Sequence, residues 1–247
     1  MITQLTDLHL LTPGHRREAG FVRRRLLSYD RPLNAEDRVE RVRKALARAR
    51  GHIVLTGDLT EDGTPEQFEV LAELLKPYTD VTILPGNHDR YVRGYDEALK
   101  GFNRGPVDLG DVLLVPVDTT FEQHWAFSAG RVSNWEAVVK LVKESTKPVV
   151  LAQHHPPVRH RWLPMQIMDG NRDHATQRAF LEEQPHAYVV HGHMHVERRL
   201  TIGGRQCVYA APAVVDNDDP VRFYYVESGV LHQTRDASVI VHDDAAR

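Results

Sequence analysis

The chain has 247 residues, of which 41% are hydrophobic and 26% are charged. This length suits one sizeable α/β core, and we expect a single domain over residues 1–247 because no internal repeat or low-complexity linker divides the sequence. The formal net charge of −3 argues against a dedicated nucleic-acid surface, although it leaves room for a local basic patch. The sequence has one cysteine, no apolar run of about 18 residues and no signal-peptide pattern. A soluble cytoplasmic protein is therefore the default expectation.

Short apolar runs rich in valine and isoleucine recur along the chain and predict buried strands. They cover residues 1–6, 53–56, 81–85, 149–152 and 188–190. Helical patterns lie between several of them, which favours parallel strands joined by crossover connections. In such sheets, ligands bind at the carboxyl ends of the strands. Polar residues that follow these five strands are therefore expected to lie on one rim.

Four helices are predicted between and after these strands. Asn34 is a candidate N-cap for a helix over residues 35–50, and Thr64 with Gln67 forms a capping-box pattern for a helix that starts at Pro65 and runs to about Leu75. The other two helices are predicted over residues 135–143 and 174–183. In the tail, residues 208–210 and 222–226 are interpreted as further strands, antiparallel and in the second sheet.

Each of the five strands is followed by side chains that can bind a metal. The segments are Asp7-Leu8-His9, Gly57-Asp58, Gly86-Asn87-His88-Asp89, His154-His155-Pro156 and Gly192-His193-Met194-His195. Taken singly, the first four segments are explained as well by a turn or a plain strand exit. The fifth is a stronger metal signal, because His193 and His195 alternate along an extended strand end, but it too is ambiguous alone. Together they offer more carboxylate, amide and imidazole ligands than one tetrahedral ion needs. Two divalent ions that share one carboxylate would use all of these ligands. Because the set lacks thiolates, it is compatible with Mn, Fe, Zn or Co.

The ordered series of these segments resembles the calcineurin-like metallophosphoesterase superfamily, from Asp7 to His195. The resemblance implies an α/β fold: a four-layer α/β/β/α sandwich of two mixed β-sheets flanked by helices. It implies that Asp7, His9, Asp58 and His195 hold one ion. It also implies that Asp58, Asn87, His154 and His193 hold the other, so that Asp58 bridges.

The resemblance further implies that His88 lies beside the leaving-group oxygen, and Asp89 is expected to orient its ring. Asp7, Asp58 and a bridging hydroxide carry three negative charges against four from two divalent ions, which leaves about one positive charge to meet a phosphate. His88 is then placed to donate a hydrogen bond or a proton to the departing oxygen.

The form of the segments narrows the reaction class. Gly57-Asp58-Leu59-Thr60 and a third segment that ends in Asp89 are more similar to the bacterial cyclic-nucleotide and glycerophosphodiester phosphodiesterases than to Ser/Thr protein phosphatases. We therefore expect a phosphodiesterase that acts on a small phosphodiester through in-line attack of a metal-bridging hydroxide. A phosphomonoesterase, or a pyrophosphatase of nucleotide sugars or lipid precursors, is the alternative. A nuclease or a non-catalytic scaffold is less favoured.

Substrate specificity is assigned to two segments beside the metal ligands, residues 15–31 and 158–172. The arginine-rich stretch between Arg16 and Arg25 suits an anionic substrate or peripheral contact with a lipid headgroup, but a solvated amphipathic segment is the favoured interpretation. The candidate substrate-binding residues are His155, Arg161, Trp162 and Asn171. Trp162 is explained equally well as a packed loop anchor. The sequence leaves open the natural substrate, the native metal and the oligomeric state.

Overall fold

The computed structural model describes residues 1–12, 34–91, 95–121, 128–159 and 163–238. The described strands, in chain order, are β1 (Ile2–Leu5), β2 (His52–Thr56), β3 (Val81–Leu84), β4 (Val107–Asp108), β5 (Leu113–Pro116), β6 (Val149–Gln153), β7 (Ala187–His191), β8 (Arg198–Ile202), β9 (Arg205–Ala210), β10 (Arg222–Glu227) and β11 (Val230–Thr234). The described helices are α1 (Ala35–Arg48), α2 (Pro65–Leu75), α3 (Tyr95–Ala98), α4 (Trp135–Glu144), α5 (Leu163–Asp169) and α6 (His174–Glu183), with a short 3-10 turn at His88–Arg90.

Two mixed sheets form the centre of the fold. One has the strand order β11-β10-β1-β2-β3 and the other β4-β5-β6-β7-β9-β8. Strands β1, β2 and β3 are parallel to one another, and so are β5, β6, β7 and β9. The predicted α/β class, with two mixed sheets flanked by helices, is confirmed. All five predicted buried strands are present.

The apolar core has two parts. One joins the sheets, because Ile2, Val54 and Leu84 of the first sheet pack with residues such as Val115 and Val149 of the second. The other fills the space between the outer face of the first sheet and helices α1 and α2. Strands β1, β2, β3, β6 and β7 are buried along their whole length, as expected for strands of a parallel sheet that is covered on both faces.

Helix ends follow local sequence signals. The Asn34 side chain accepts a hydrogen bond from the Asp37 amide at 2.7 Å, so the predicted N-cap of α1 is present. The helix ends at Arg48, two residues earlier than predicted. At α2, the Thr64 hydroxyl accepts from the Gln67 amide, but the Gln67 side chain accepts from the Asp62 amide instead of completing the capping box. The helices predicted over residues 135–143 and 174–183 are α4 and α6.

The prediction for the tail strands was wrong in part. Strand β9 lies in the second sheet but pairs parallel with β7, and its antiparallel neighbour is β8. Strand β10 is antiparallel as predicted, but its partner is β1, in the first sheet. The residues of an isolated strand do not reveal which sheet edge it will join, because that choice depends on the edges that the rest of the fold leaves open.

None of the helices in the described ranges is long and apolar enough to cross a membrane. The cytoplasmic location and the single domain stay predictions.

Candidate metal centre

The five predicted segments meet at the carboxyl ends of their strands. Asp7 follows β1, Asp58 follows β2, Asn87 follows β3, His154 follows β6, and the His193–His195 segment follows β7. Strand β1 is hydrogen-bonded to β2 and β2 to β3, while β6 pairs with β7 in the facing sheet. Parallel pairing brings the segments of each sheet to one edge, and the stacking of the two sheets brings both edges together.

One group of candidate ligands contains His9, His195 and Asp7. Nε2 of His195 lies 3.4 Å from Oδ1 of Asp7 and 3.3 Å from Nε2 of His9. Nε2 of His9 lies 3.7 Å from Oδ2 of Asp58. Asp7, His9 and His195 are therefore close enough to contribute to one ion, and Asp58 adjoins this group through His9; these are the four residues that the resemblance implies.

A second group lies on the other side of Asp58. Nε2 of His154 lies 3.4 Å from Oδ1 of Asp58, 3.1 Å from Oδ1 of Asn87 and 3.2 Å from Nδ1 of His193. The two carboxylate oxygens of Asp58 therefore face different groups, Oδ1 towards His154 and Oδ2 towards His9. This is the placement that a shared carboxylate requires.

Hydrogen bonds fix which ring nitrogen each histidine presents. Nδ1 of His154 donates to the Thr56 carbonyl at 2.9 Å, and Nε2 of His193 donates to the Asp169 carbonyl at 3.0 Å. Nδ1 of His195 lies 2.5 Å from a carboxylate oxygen of Asp216. Because carbonyl and carboxylate oxygens only accept, the opposite ring nitrogens are the ones that face the site, and each offers a lone pair to a metal ion when its ring is neutral. Such outer hydrogen bonds are the usual support of metal-binding histidines.

These contacts fit bound cations better than a metal-free site. Two nitrogen lone pairs at 3.2 Å, as in His154 and His193, repel unless a proton or a cation lies between them. Oδ1 of Asp7 is buried without a hydrogen-bond donor among the described residues. The donors are carboxylate, amide and imidazole, which suit borderline divalent ions. The residues present therefore fit two divalent ions.

The pKa shifts of Asp58 and His154 also indicate a site that favours bound cations. Burial opposes ionisation of Asp58, but His154 and His88 outweigh it and hold the pKa of this carboxyl well below its usual range. Burial likewise opposes a charge on His154, yet Asp58 raises the pKa of its ring to about 9. The Asp58 carboxylate thus attracts positive charge from the surrounding imidazoles. Divalent ions would provide that charge in place of the protons.

The backbone of the site is in an uncommon conformation. Among the described residues, the non-glycine positions with positive φ include Asp7, His9, Asp58, His193 and His195. Asp and His tolerate the left-handed region better than most residues, but each still costs about 1–3 kcal/mol. Such strain is commonly found at functional sites, because the surrounding fold holds each ligand in place.

Glycines allow the segments to approach one another. A Cβ atom on Gly86 would lie 2.0 Å from Oδ1 and 2.1 Å from the backbone nitrogen of Asp58. One on Gly192 would lie 1.9 Å from the Thr6 hydroxyl oxygen and 2.7 Å from Oδ2 of Asp7. The glycines before Asn87 and before His193 are therefore required by close packing against the neighbouring ligand segments.

His88 lies at the rim of the site. Its Nδ1 donates to the Glu61 carbonyl at 2.7 Å, which directs Nε2 towards Oδ2 of Asp58 at 4.0 Å. The Glu61 carboxylate is 3.6 Å from the same Nδ1 and is itself paired with the buried Arg38. The prediction that Asp89 orients the His88 ring is corrected, since Glu61 occupies that position.

Asp89 instead joins two ligand segments. Its Oδ2 accepts hydrogen bonds from the amides of Gly86 and Leu59, and its Oδ1 accepts from the amide and hydroxyl of Thr60. The carboxylate therefore holds the segment of Asp58 against the segment of Asn87. Although Asp89 is adjacent to His88 in sequence, its side chain lies on the opposite side of the turn.

The predicted substrate-binding residues divide into two groups. His155 is fully buried, and its ring nitrogens are hydrogen-bonded to the Thr119 hydroxyl and the Ser128 carbonyl. Asn171 is also fully buried, donates to Gln177 and accepts from the Asp173 amide. Both predictions are corrected, because these side chains support the loops beneath the site. Arg161, Trp162 and the stretch between Arg16 and Arg25 lie outside the described residues.

Sequence reasoning missed three acidic residues. Glu61 contacts His88, Asp169 contacts His193, and Asp216 contacts His195. Glu61 lies three residues after Asp58, a spacing that could have indicated it. Asp169 and Asp216 are 24 and 21 residues from the histidines that they contact. No local pattern connects them.

Comparisons with known proteins agree with this geometry. The family model described as calcineurin-like phosphoesterase matches residues 1–197. A 3′,5′-cyclic-nucleotide phosphodiesterase of Nostoc sp. is 28% identical over 209 residues, which are 80% of this chain and 72% of that protein. A cAMP/cGMP dual specificity phosphodiesterase of Mycobacterium tuberculosis is 26% identical over 222 residues, or 83% of this chain and 64% of that protein.

Solved structures show the same fold. A dimetal phosphatase from Danio rerio superposes with a TM-score of 0.63 at 16% identity, over 94% of each chain. Since the family model covers most of the sequence and the predicted ligands converge, the chain belongs to the calcineurin-like phosphoesterase family, a family of metal-dependent hydrolases.

Proposed function

We propose that this protein is a dinuclear metal-dependent phosphodiesterase that hydrolyses a small phosphodiester of the cyclic-nucleotide or glycerophosphodiester type. The observation on which the proposal rests is the position of Asp58 between two groups of ligands, with Oδ1 near His154 and Oδ2 near His9. Two divalent ions bound there would supply positive charge for the phosphate and acidify a water molecule at neutral pH.

The protein's own residues would then act on the leaving group. His88 holds a proton on Nδ1 through the Glu61 carbonyl, so its Nε2 is the atom that faces the site. Its side chain is 20% exposed, which permits contact with a substrate. When the ring is cationic, Nε2 donates a proton to the departing oxygen. General acid catalysis of this kind contributes about 10²–10⁴-fold to the rate.

The diester preference is supported by the relatives rather than by the metal ligands. Two curated relatives are named as cyclic-nucleotide phosphodiesterases, at 28% and 26% identity. A phosphomonoesterase would use the same ligands and differ only around the substrate's organic groups. The preference for diesters is therefore the part of the proposal that most needs a test.

The experiment compares hydrolysis of an aryl phosphodiester, its monoester and 3′,5′-cyclic AMP, each with added Mn²⁺. Metal content is measured on the same preparation. The proposal expects about two metal equivalents, faster turnover of the diesters, and no hydrolysis by the Asp58→Ala variant. Asp111→Ala, at an exposed position, is the control. Faster monoester hydrolysis would replace the diesterase with a phosphatase, and an active Asp58→Ala variant would refute the shared-carboxylate site.

A further inference from the structure

The two histidines of the segment after β7 face the centre through different ring nitrogens. His193 presents Nδ1, which is 3.2 Å from Nε2 of His154. His195 presents Nε2, which is 3.3 Å from Nε2 of His9. They are only two residues apart, and both have positive φ, with values of 69° and 56°. The segment therefore delivers one imidazole to each of the two ligand groups.

Each of these rings is supported from behind by a different aspartate. Nε2 of His193 lies 3.0 Å from the Asp169 carbonyl and 3.3 Å from its carboxylate. Nδ1 of His195 lies 2.5 Å from the Asp216 carboxylate. Asp169 ends helix α5, whereas Asp216 belongs to the loop after β9. The two supports come from separate parts of the fold.

The Asp216 loop is attached to the segment of Asp7. The amides of Val214 and Val215 donate to the carbonyls of Thr6 and Asp7, at 3.0 and 3.3 Å. The Asn217 side chain donates to the His195 carbonyl at 3.3 Å. This loop thus contacts the backbone of two ligands of the same group as well as the His195 ring. It lies beyond the residues that the family model matches, which end at 197.

Asp169 is held in a comparable way on the other side. The Ser128 hydroxyl donates to its carboxylate, and the Ser128 amide donates to the Met168 carbonyl at 2.8 Å. The Asp169 side chain is 26% exposed, against 11% for Asp216. The Asp169 main-chain carbonyl fixes the tautomer of the His193 ring, and the carboxylate beside the same nitrogen makes the ring a better electron donor to a bound ion.

We propose that Asp216 and Asp169 are positioning residues that set the affinities of the two metal positions separately: Asp216 acts through His195 on the ion near His9, and Asp169 acts through His193 on the ion near Asn87. The inference rests on the dinuclear site of the proposed function, but not on its substrate. Loss of one such support typically weakens metal binding about 10–100-fold.

The test measures Mn²⁺ affinity by calorimetry, with metal content as a second readout, in backgrounds that retain one ion. In a His9→Ala background, Asp169→Asn removes the carboxylate charge but keeps the main-chain carbonyl bonded to His193, so it should weaken binding of the remaining ion by up to about 10-fold, and Asp216→Asn should leave that affinity unchanged. In an Asn87→Ala background, Asp216→Asn should weaken binding of the remaining ion, and Asp169→Asn should leave that affinity unchanged. Both substitutions keep the size of the side chain, so folding is checked by thermal unfolding of the same samples.

Asp218→Asn is the matched control, because this residue lies on the Asp216 loop with its side chain 84% exposed. It should leave both affinities unchanged. The proposal is overturned if either aspartate variant weakens both ions equally, if neither weakens any ion, or if the wild-type protein binds no Mn²⁺. Two bound ions without hydrolysis of any diester would instead count against the proposed function, and the affinity pattern would still decide this inference.

Discussion

The Asp89→Asn substitution distinguishes a structural role of this residue from a catalytic one. The carboxylate accepts four hydrogen bonds at 2.8–3.1 Å, two on each oxygen. The asparagine side chain replaces one of these oxygens with an NH₂ group, which then faces two donors. If Oδ2 is replaced, two backbone hydrogen bonds are lost; if Oδ1 is replaced, the Thr60 hydroxyl can accept from the new NH₂ group, so that at least one hydrogen bond, from the Thr60 amide, is lost at a fully buried position.

The expected cost follows from the lost hydrogen bonds. Burial and the neighbouring Asp58 raise the pKa of Asp89 to about 7, so the assay is run above that pH, where the acceptor is charged. A hydrogen bond to a charged acceptor contributes about 1.5–3 kcal/mol, so the loss of one lowers the free energy of unfolding by roughly that amount. For a chain of this size, 1 kcal/mol corresponds to about 2–4 °C in Tm, which gives a decrease of about 3–12 °C. Because the segments of Asp58 and Asn87 are held together by this carboxylate, metal binding should weaken as well.

The assay is urea and thermal unfolding of the metal-free proteins, followed by Mn²⁺ titration and turnover at saturating metal. Asp111→Asn, an exposed aspartate, serves as the control. A loss of stability below about 1 kcal/mol would refute the hydrogen-bond argument. If turnover also fell while metal affinity stayed constant, the earlier expectation that Asp89 orients the His88 ring would be restored.

Three further predictions concern the metal centre. In the proposed mechanism Nε2 of His88 protonates the leaving group and does not bind an ion, so His88→Ala should reduce kcat about 10²–10⁴-fold and leave metal content unchanged; equal turnover would remove it from the mechanism. Gly86→Ala should reduce metal content, since its Cβ would meet the Asp58 backbone, whereas Gly101→Ala, with nothing within 4 Å, should not; the two variants are compared by metal analysis. The pKa of His154, raised to about 9, leaves this ring protonated at pH 7, so Mn²⁺ must displace a proton. Metal affinity should therefore fall as pH decreases from 9 to 7, and calorimetry in buffers of different ionisation enthalpy should detect proton release; a pH-independent affinity would contradict this.

The sequence by itself determined the class of fold and the residues at its rim. Val- and Ile-rich runs predict buried strands because apolar β-branched residues suit strands that are covered on both faces of a parallel sheet. Parallel strands then place the residues that follow them at one edge, so the sequence alone predicts that Asp7, Asp58 and Asn87 lie together. Helix starts were equally local: Asn34 caps α1 through the amide three residues later.

The tertiary structure alone decided the pairing of the tail strands and the supports of the site. Strand β10 pairs with the edge of β1 that β2 does not occupy. Asp89 was next to His88 in sequence, yet the turn directs its carboxylate to Gly86 and Thr60. Contacts such as Asp216 with His195 join residues 21 positions apart on different elements. Their geometry is set by the packing of whole sheets, whereas local patterns carry information about only a few neighbouring residues.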